Sequence, residues 1–352
     1  MIVFIGAGLS KLFGIPDTKG FVELFDKEPK ISENDIYTEI KRTFGDFDLE
    51  VLMTISEDLC KSGNEIFKSI SPQTADFLFR RETENRNYYV HDKKAKEKSA
   101  DLLESVKKII RNECFKAEKE NKDKILDVYD GLFEIMRDQS QYRSGDNKIS
   151  YPPELKIVTT NYDRCIETYF RERQIDYAQG LRERFGCLFF DISSFNDGGN
   201  RIGLFKLHGT IDLFNIDGEI RQRRYGENIG EEIVYYPIEF GGYSHIIESP
   251  YLELFYLFRD RIDKCFDRKW IIIGSSMRDR TICSIMNDVI RTKIENQRPR
   301  IVFVNPDETV IERLKSWGFN HLQERMVHHH IKQAFGTSET NNEIGRHLRI
   351  AE

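Results

Sequence analysis

Apolar positions along the chain fall into two rhythms. Short, almost unbroken apolar runs lead into small or polar residues at residues 2–6, 155–163 (LKIVTTNYD), 204–214 (LFKLHGTIDLF), 269–279 (KWIIIGSSMRD) and 301–309 (IVFVNPDET). Runs of that length, rich in Ile and Val, predict strands buried on both faces. Between them the apolar spacing is helical. A helix is expected over about 19–27, where Pro16 and the Asp17-Thr18 pair make a break and a cap, and another over 47–60. From 61 to 145 strand signal is scarce and Lys and Glu abound. There Leu102, Leu103, Val106, Ile109, Ile110 and Cys114 line one helical face, and 124–138 repeats the pattern. This stretch predicts an insertion of two to four helices. Further helices are expected after Asp163, over 252–266 and over 308–317. Asp217-Gly218 predicts a hairpin turn, 221–250 is expected to be irregular, and the polar tail beyond 336 to be poorly ordered.

The alternation of strand and helix predicts an α/β fold. Its five strands end in GAG, TTNYD, LHG, GSS and NPD. In open parallel sheets ligands are held at the carboxyl ends of the strands, so five such endings outline a site. The glycines of IVFIGAGLS let backbone N–H groups close on an anion at the start of the next helix. The dehydrogenase fingerprint wants a third glycine three residues after the second. Here Lys11 stands there and the next glycine is Gly14.

Composition narrows the class. The 352 residues suffice for about two domains, and 32% charged residues with net charge −6 suit a solvated protein without a basic nucleic-acid face. No apolar run approaches the ~20 residues of a membrane span. A strand is expected from Ile2, with no positive n-region and no cleavage site, so no signal peptide is expected. Six scattered cysteines form no CxxC pair, which speaks against a zinc ribbon or a disulfide framework and for a reducing cytoplasm. The run His328-His329-His330 has no second ligand group near it in sequence, so no metal is expected.

The strand ends carry the candidate chemistry. His208, just before Gly209, is placed as a proton acceptor, against the alternative of a buried, satisfied histidine. Asn161 offers an acceptor and donors, or only makes a turn. Asp163 and Asp17 either touch a ligand or cap the helices that follow them. Ser275 and Asn305 are phosphate or ribose contacts or strand-end turn formers.

These elements, in this order, resemble the sirtuins. GAGLS followed by GIPD (Gly14–Asp17), TTNYD at 159–163, LHG at 207–209, GSSM at 274–277 and VNPD at 304–307 each match a sirtuin element, over residues 1–20 and about 155–310. The resemblance implies a Rossmann-like parallel sheet of sirtuin type that binds NAD and breaks its glycosidic bond. By that likeness Gly6, Ala7, Gly8 and Ser10 admit the pyrophosphate. Asn161 and His208 are catalytic, with Asn161 on the nicotinamide ribose. Asp17, Asp163, Gly209, Gly274, Ser275 and Asn305 complete the NAD site. The chain departs from deacylating sirtuins in two places: Thr18-Lys19 replace Phe-Arg after GIPD, and no cysteine follows Gly209 until Cys265, so the zinc module is missing. Water then becomes the acceptor, giving nicotinamide and ADP-ribose. The alternatives are an ADP-ribosyl or deacyl transferase acting on a protein and a non-catalytic NAD sensor. The missing zinc module and the helical insertion resemble the sirtuin-like NAD hydrolases of prokaryotic antiviral defence, closest to the HerA-associated type. That likeness implies a homo-oligomer with a possible HerA-type ATPase partner. The domains expected are an NAD-binding unit of 1–45 plus 151–335, a helical insertion over 46–150, and a tail over 336–352.

Overall fold

The apolar run after Met1 becomes β1 (Ile2–Ile5), and all four of its residues are buried. The chain is described by a computed structural model, covering residues 1–60, 72–79, 93–138, 155–184, 187–196, 202–216, 219–222, 231–234, 251–264, 269–293, 299–316, 329–333 and 335–349. Among the described residues, helices alone follow β1 as far as Asp138. They are α1 (Ala7–Ser10) with a 3-10 turn over Lys11–Phe13, α2 (Thr18–Phe25), α3 (Pro29–Ser32), α4 (Asp35–Phe44), α5 (Leu49–Cys60), α6 (Pro72–Phe79), α7 (Lys93–Glu120) and α8 (Lys122–Asp138). There follow β2 (Lys156–Thr159), α9 (Cys165–Glu172), β3 (Tyr177–Ala178), β4 (Leu181–Arg184), β5 (Cys187–Phe190), a 3-10 turn over Ile192–Asn196, β6 (Ile202–Lys206), β7 (Gly209–Ile216), β8 (Glu219–Gln222) and β9 (Glu231–Val234). The chain closes with α10 (Tyr251–Asp263), β10 (Lys269–Ile273), α11 (Arg280–Thr292), β11 (Arg300–Val304), α12 (Thr309–Ser316), β12 (His329–Ile331) and α13 (Ser338–Arg349).

Seven strands form one sheet in the order β12-β11-β10-β1-β2-β6-β3, every pair parallel. The chain leaves β1 for β2 on one side and returns to β10 on the other. The gap between β1 and β10 is thus the switch point at which such sheets bind ligands. Both faces are covered, as an all-parallel sheet requires. Strand residues alternate between faces. Val3, Ile5, Ile157, Ile271 and Ile273 join one core with α2–α5, α7, α8 and α13. Ile2, Phe4, Val158, Phe205 and Ile272 join a second core with α10, α11 and α12. This is the α/β, Rossmann-like sheet with added helices that the pattern predicts.

Three expectations are corrected. LFKLHGTIDLF is not one strand: it breaks at Leu207-His208, where Gly209 at φ +78° turns the chain from the parallel sheet into a second one. That second sheet is antiparallel, in the order β4-β5-β8-β7-β9. It takes in 219–222 and 231–234, within or beside a stretch expected to be irregular; the turn at 217–218 and the breakers Pro237, Gly241 and Gly242 lie outside the described residues. The tail is not loose either. Thr340, Ile344 and Leu348 recur four residues apart, are buried, and seat α13 on the core.

Candidate active site

The five strand ends singled out from sequence belong to five adjacent strands, β11-β10-β1-β2-β6, and all point to one edge. A cavity of about 470 Å³ opens there. Of the predicted residues, Gly6, Ala7, Gly8, Ser10, Asp17, Asn161, Asp163, His208, Gly274, Ser275 and Asn305 line it. Gly209 does not; its part is the turn that presents His208.

The glycines act differently from the expectation. Gly6 N–H donates to Ile273 O at 2.9 Å, and Gly8 N–H to Gly274 O at 2.8 Å. Those two amides join the end of β1 to the end of β10 rather than pointing at an anion. A Cβ on Gly6 would lie 2.5 Å from Ser275 Cα, and one on Gly274 2.5 Å from Leu9 N, so side chains are excluded by the mutual approach of two backbones.

Asn161 is held from three sides. Its N–H donates to Thr159 Oγ1 at 3.0 Å, and its Nδ2 donates to Gly6 O at 3.0 Å and to Ser10 Oγ at 2.8 Å. Ser10 Oγ in turn donates to Asp163 Oδ2 at 2.5 Å. With the donors so used, Asn161 Oδ1 is buried and has no hydrogen-bond partner among the described residues. Asp163 also accepts from Cys165 N–H, the first of α9, at 3.0 Å. Its carbonyl accepts from Lys206, which pairs with Glu167 at 2.9 Å in the interior. Burial works against charge on Lys206, but the carboxylates of Glu167, Asp163 and Asp212 outweigh it and raise its pKa.

His208 Nε2 lies 2.8 Å from Asp279 Oδ2, with both side chains largely buried. Asp279 is the N-cap of α11, and its Oδ1 accepts from Ile282 N–H at 2.9 Å. Asp279 was not among the sequence candidates. It is far from His208 in the chain, and its only local signal is an acidic residue before a helix. Arg278, beside it, lines the cavity and pairs with Asp48 at 3.2 Å, tying the start of α5 to the β10 loop. The helical region also lends Glu50 and Cys114 to the wall. Burial and then the charge of Asp163 push the Cys114 thiol up, so it stands in the cavity as a neutral group.

The remaining candidates are occupied locally. Asp17 caps α2 by accepting from Gly20 N–H at 2.8 Å and pairs with Lys11. Burial raises its pKa, but these bonds outweigh burial and leave it lowered. Ser275 Oγ accepts from Met277 N–H, and Asn305 bridges Ser275 O and Asp307 N–H. In the histidine run, His330 bonds Asn305 O from edge strand β12, while residue 328 lies outside the described residues. Among the described residues no three His, Cys, Asp or Glu side chains gather as a metal site, and no helix is long and apolar enough to cross a membrane.

Residues 155–323 match the family model of the SIR2-like domain. The match starts at β2 and runs past α12, so it holds Asn161, His208, Asp279 and Asn305 but not the GAG turn. It supports a sirtuin-like relationship, and SIR2-like domains bind NAD and are in general NAD-dependent enzymes. No curated protein matches the chain.

Proposed function

We propose that this protein is an NAD glycohydrolase that cleaves the ribose–nicotinamide bond and releases nicotinamide and ADP-ribose. One observation carries the reading: Asn161, whose buried Oδ1 has no hydrogen-bond partner among the described residues, and His208 line one cavity at the switch point of a parallel sheet. An orphaned buried acceptor costs free energy unless a ligand satisfies it, and a ribose hydroxyl supplies the missing donor.

Nicotinamide is a cationic leaving group, so bond cleavage needs no general acid. The chain's task is to hold the sugar, favour an oxocarbenium-like transition state and place a nucleophile. Asn161, braced by Ser10 and Asp163, orients the ribose and the attacking water. His208 takes the proton. The C–N electron pair passes to the leaving nitrogen, and the water oxygen bonds the anomeric carbon. Asp17, Gly274, Ser275 and Asn305 shape the remaining NAD surface.

The likeness to defence hydrolases supports a wider reading. In it the protein is a cytoplasmic antiphage effector that depletes NAD, works as a homo-oligomer and partners a HerA-type ATPase. The NAD-binding unit comprises 1–45 plus 151–335, with 46–150 as a helical subdomain. Copurification with an ATPase ring supports this reading; a constitutively active monomer overturns it.

Incubation with NAD tests the activity. Nicotinamide and ADP-ribose are expected from NAD alone, and Asn161→Ala and His208→Ala are expected to lower kcat at least about a hundredfold while remaining folded. For His208→Ala the loss falls on kcat more than on KM. Product only with a protein acceptor would replace this reading with a transferase, and NAD binding without turnover with a sensor.

A further inference from the structure

The geometry points to Asp279 as the positioning residue that fixes the tautomer of His208. This inference rests on the glycohydrolase reading, and Asp279 was not among the residues that carried that reading.

Asp279 Oδ2 meets Nε2 of His208 at 2.8 Å, and an ionised carboxylate only accepts. The ring proton of neutral His208 is therefore on Nε2. That leaves the Nδ1 lone pair, which has no partner among the described residues, as the acceptor beside the cavity. When Nδ1 takes a proton, the same carboxylate faces the imidazolium, the arrangement by which an acidic residue supports a histidine base.

The loop that delivers Asp279 is built at some cost. Met277, a buried non-glycine residue, lies at φ +49°. Strained backbone of this kind persists where the surroundings over-determine it. Here Met277 N–H is held by Ser275 Oγ at 3.2 Å, and Arg313 donates to Ser276 O.

Asp279 has two jobs, and its two oxygens separate them: Oδ1 caps α11 and Oδ2 meets His208. Asparagine and serine both cap helices about as well as aspartate. In Asp279→Asn the one oxygen caps, and the amide N–H₂ is left to donate to Nε2, which drives the ring proton to Nδ1. In Asp279→Ser the cap stays and nothing reaches the ring.

The experiment compares wild type, Asp279→Asn and Asp279→Ser by NAD turnover, thermal melting and ¹⁵N spectra of histidine-labelled protein. The His208 signals are identified by their loss in His208→Ala. Melting temperatures close to wild type are expected, with KM for NAD within about twofold. Turnover should fall in the order wild type, Ser, Asn, with Asn down at least about tenfold. The spectra should show an Nε2–H tautomer in wild type and an Nδ1–H tautomer in Asp279→Asn. A merely structural Asp279 predicts that Asp279→Asn matches wild type in both turnover and tautomer, and that result overturns the proposal. Should wild type leave NAD intact, the glycohydrolase reading fails while the tautomer comparison still decides the role of Asp279.

Discussion

At the scale of single residues, the site depends as much on atoms that are missing as on those present. Gly274 lies at φ +60° with the backbone of Gly8 and Leu9 packed where a side chain would project. Gly274→Ala combines a disfavoured backbone conformation with a steric conflict that no rotamer relieves. It is expected to cost about 2–4 kcal/mol, read as a lowered midpoint in chemical denaturation. A loss under 0.5 kcal/mol would show that the two turns can part without harm. The polar residues follow the opposite logic. Ser10, Asn161 and Asp163 form a chain in which each fixes the next, and among the described residues it leaves the buried Oδ1 of Asn161 without a partner.

At the scale of elements, α13 shows how a few buried positions hold a polar segment. Its sequence is mostly polar, yet Ile344 is fully buried. Ile344→Ala should destabilise the protein by about 2–4 kcal/mol, whereas Asn342→Ala on the exposed face should change stability by less than about 0.5 kcal/mol, both measured by denaturant unfolding. This helix was illegible in sequence because its buried face is carried by Thr340, Ile344, Gly345 and Leu348, of which only two are large and apolar. The parallel sheet was legible for the opposite reason: IVFI, WIII and IVFV are buried on both faces and leave no polar position to confuse the reading. Of the small antiparallel sheet the sequence showed only the hairpin at Asp217-Gly218, across which β7 pairs with β8; the rest was missed because EIRQ and EEIV are charged and lie among turn residues, so no apolar run announces them. Sequence also placed Asn161 and His208 at strand ends, but the Asp279 contact is tertiary, and nothing local to either residue signals it.

At the scale of the whole molecule, the buried phenols set how the fold meets alkali. Burial, followed by nearby carboxylates, raises the pKa of Tyr37, Tyr129, Tyr162 and Tyr177 above the ordinary value of 10.0. A folded pKa above the unfolded one gives stability that is complete below pH 10 and lost as pH rises beyond it, because only the unfolded chain then releases the protons. Lys206, raised above 10.5, adds to the same limb. The buried thiols of Cys114, Cys165 and Cys283, raised above 9.0, open the same limb about one pH unit earlier. Melting temperature should therefore begin to fall near pH 9 and fall steeply beyond 10. A level profile up to pH 11 would contradict this account. The phenols and Lys206 are spread over α4, α8, the β2–α9 turn, β3 and β6, so the limb reports collapse of the molecule and not of one corner.

The lock between Gly6, Gly8 and Gly274 means that the floor of the cavity is already cast before a guest arrives. Little chain has to be ordered on capture, so the heat-capacity change of binding should reflect the surface covered and not the folding of a loop. Such a receptacle binds by matching shape, and warming should loosen its grip no faster than that of a rigid vessel.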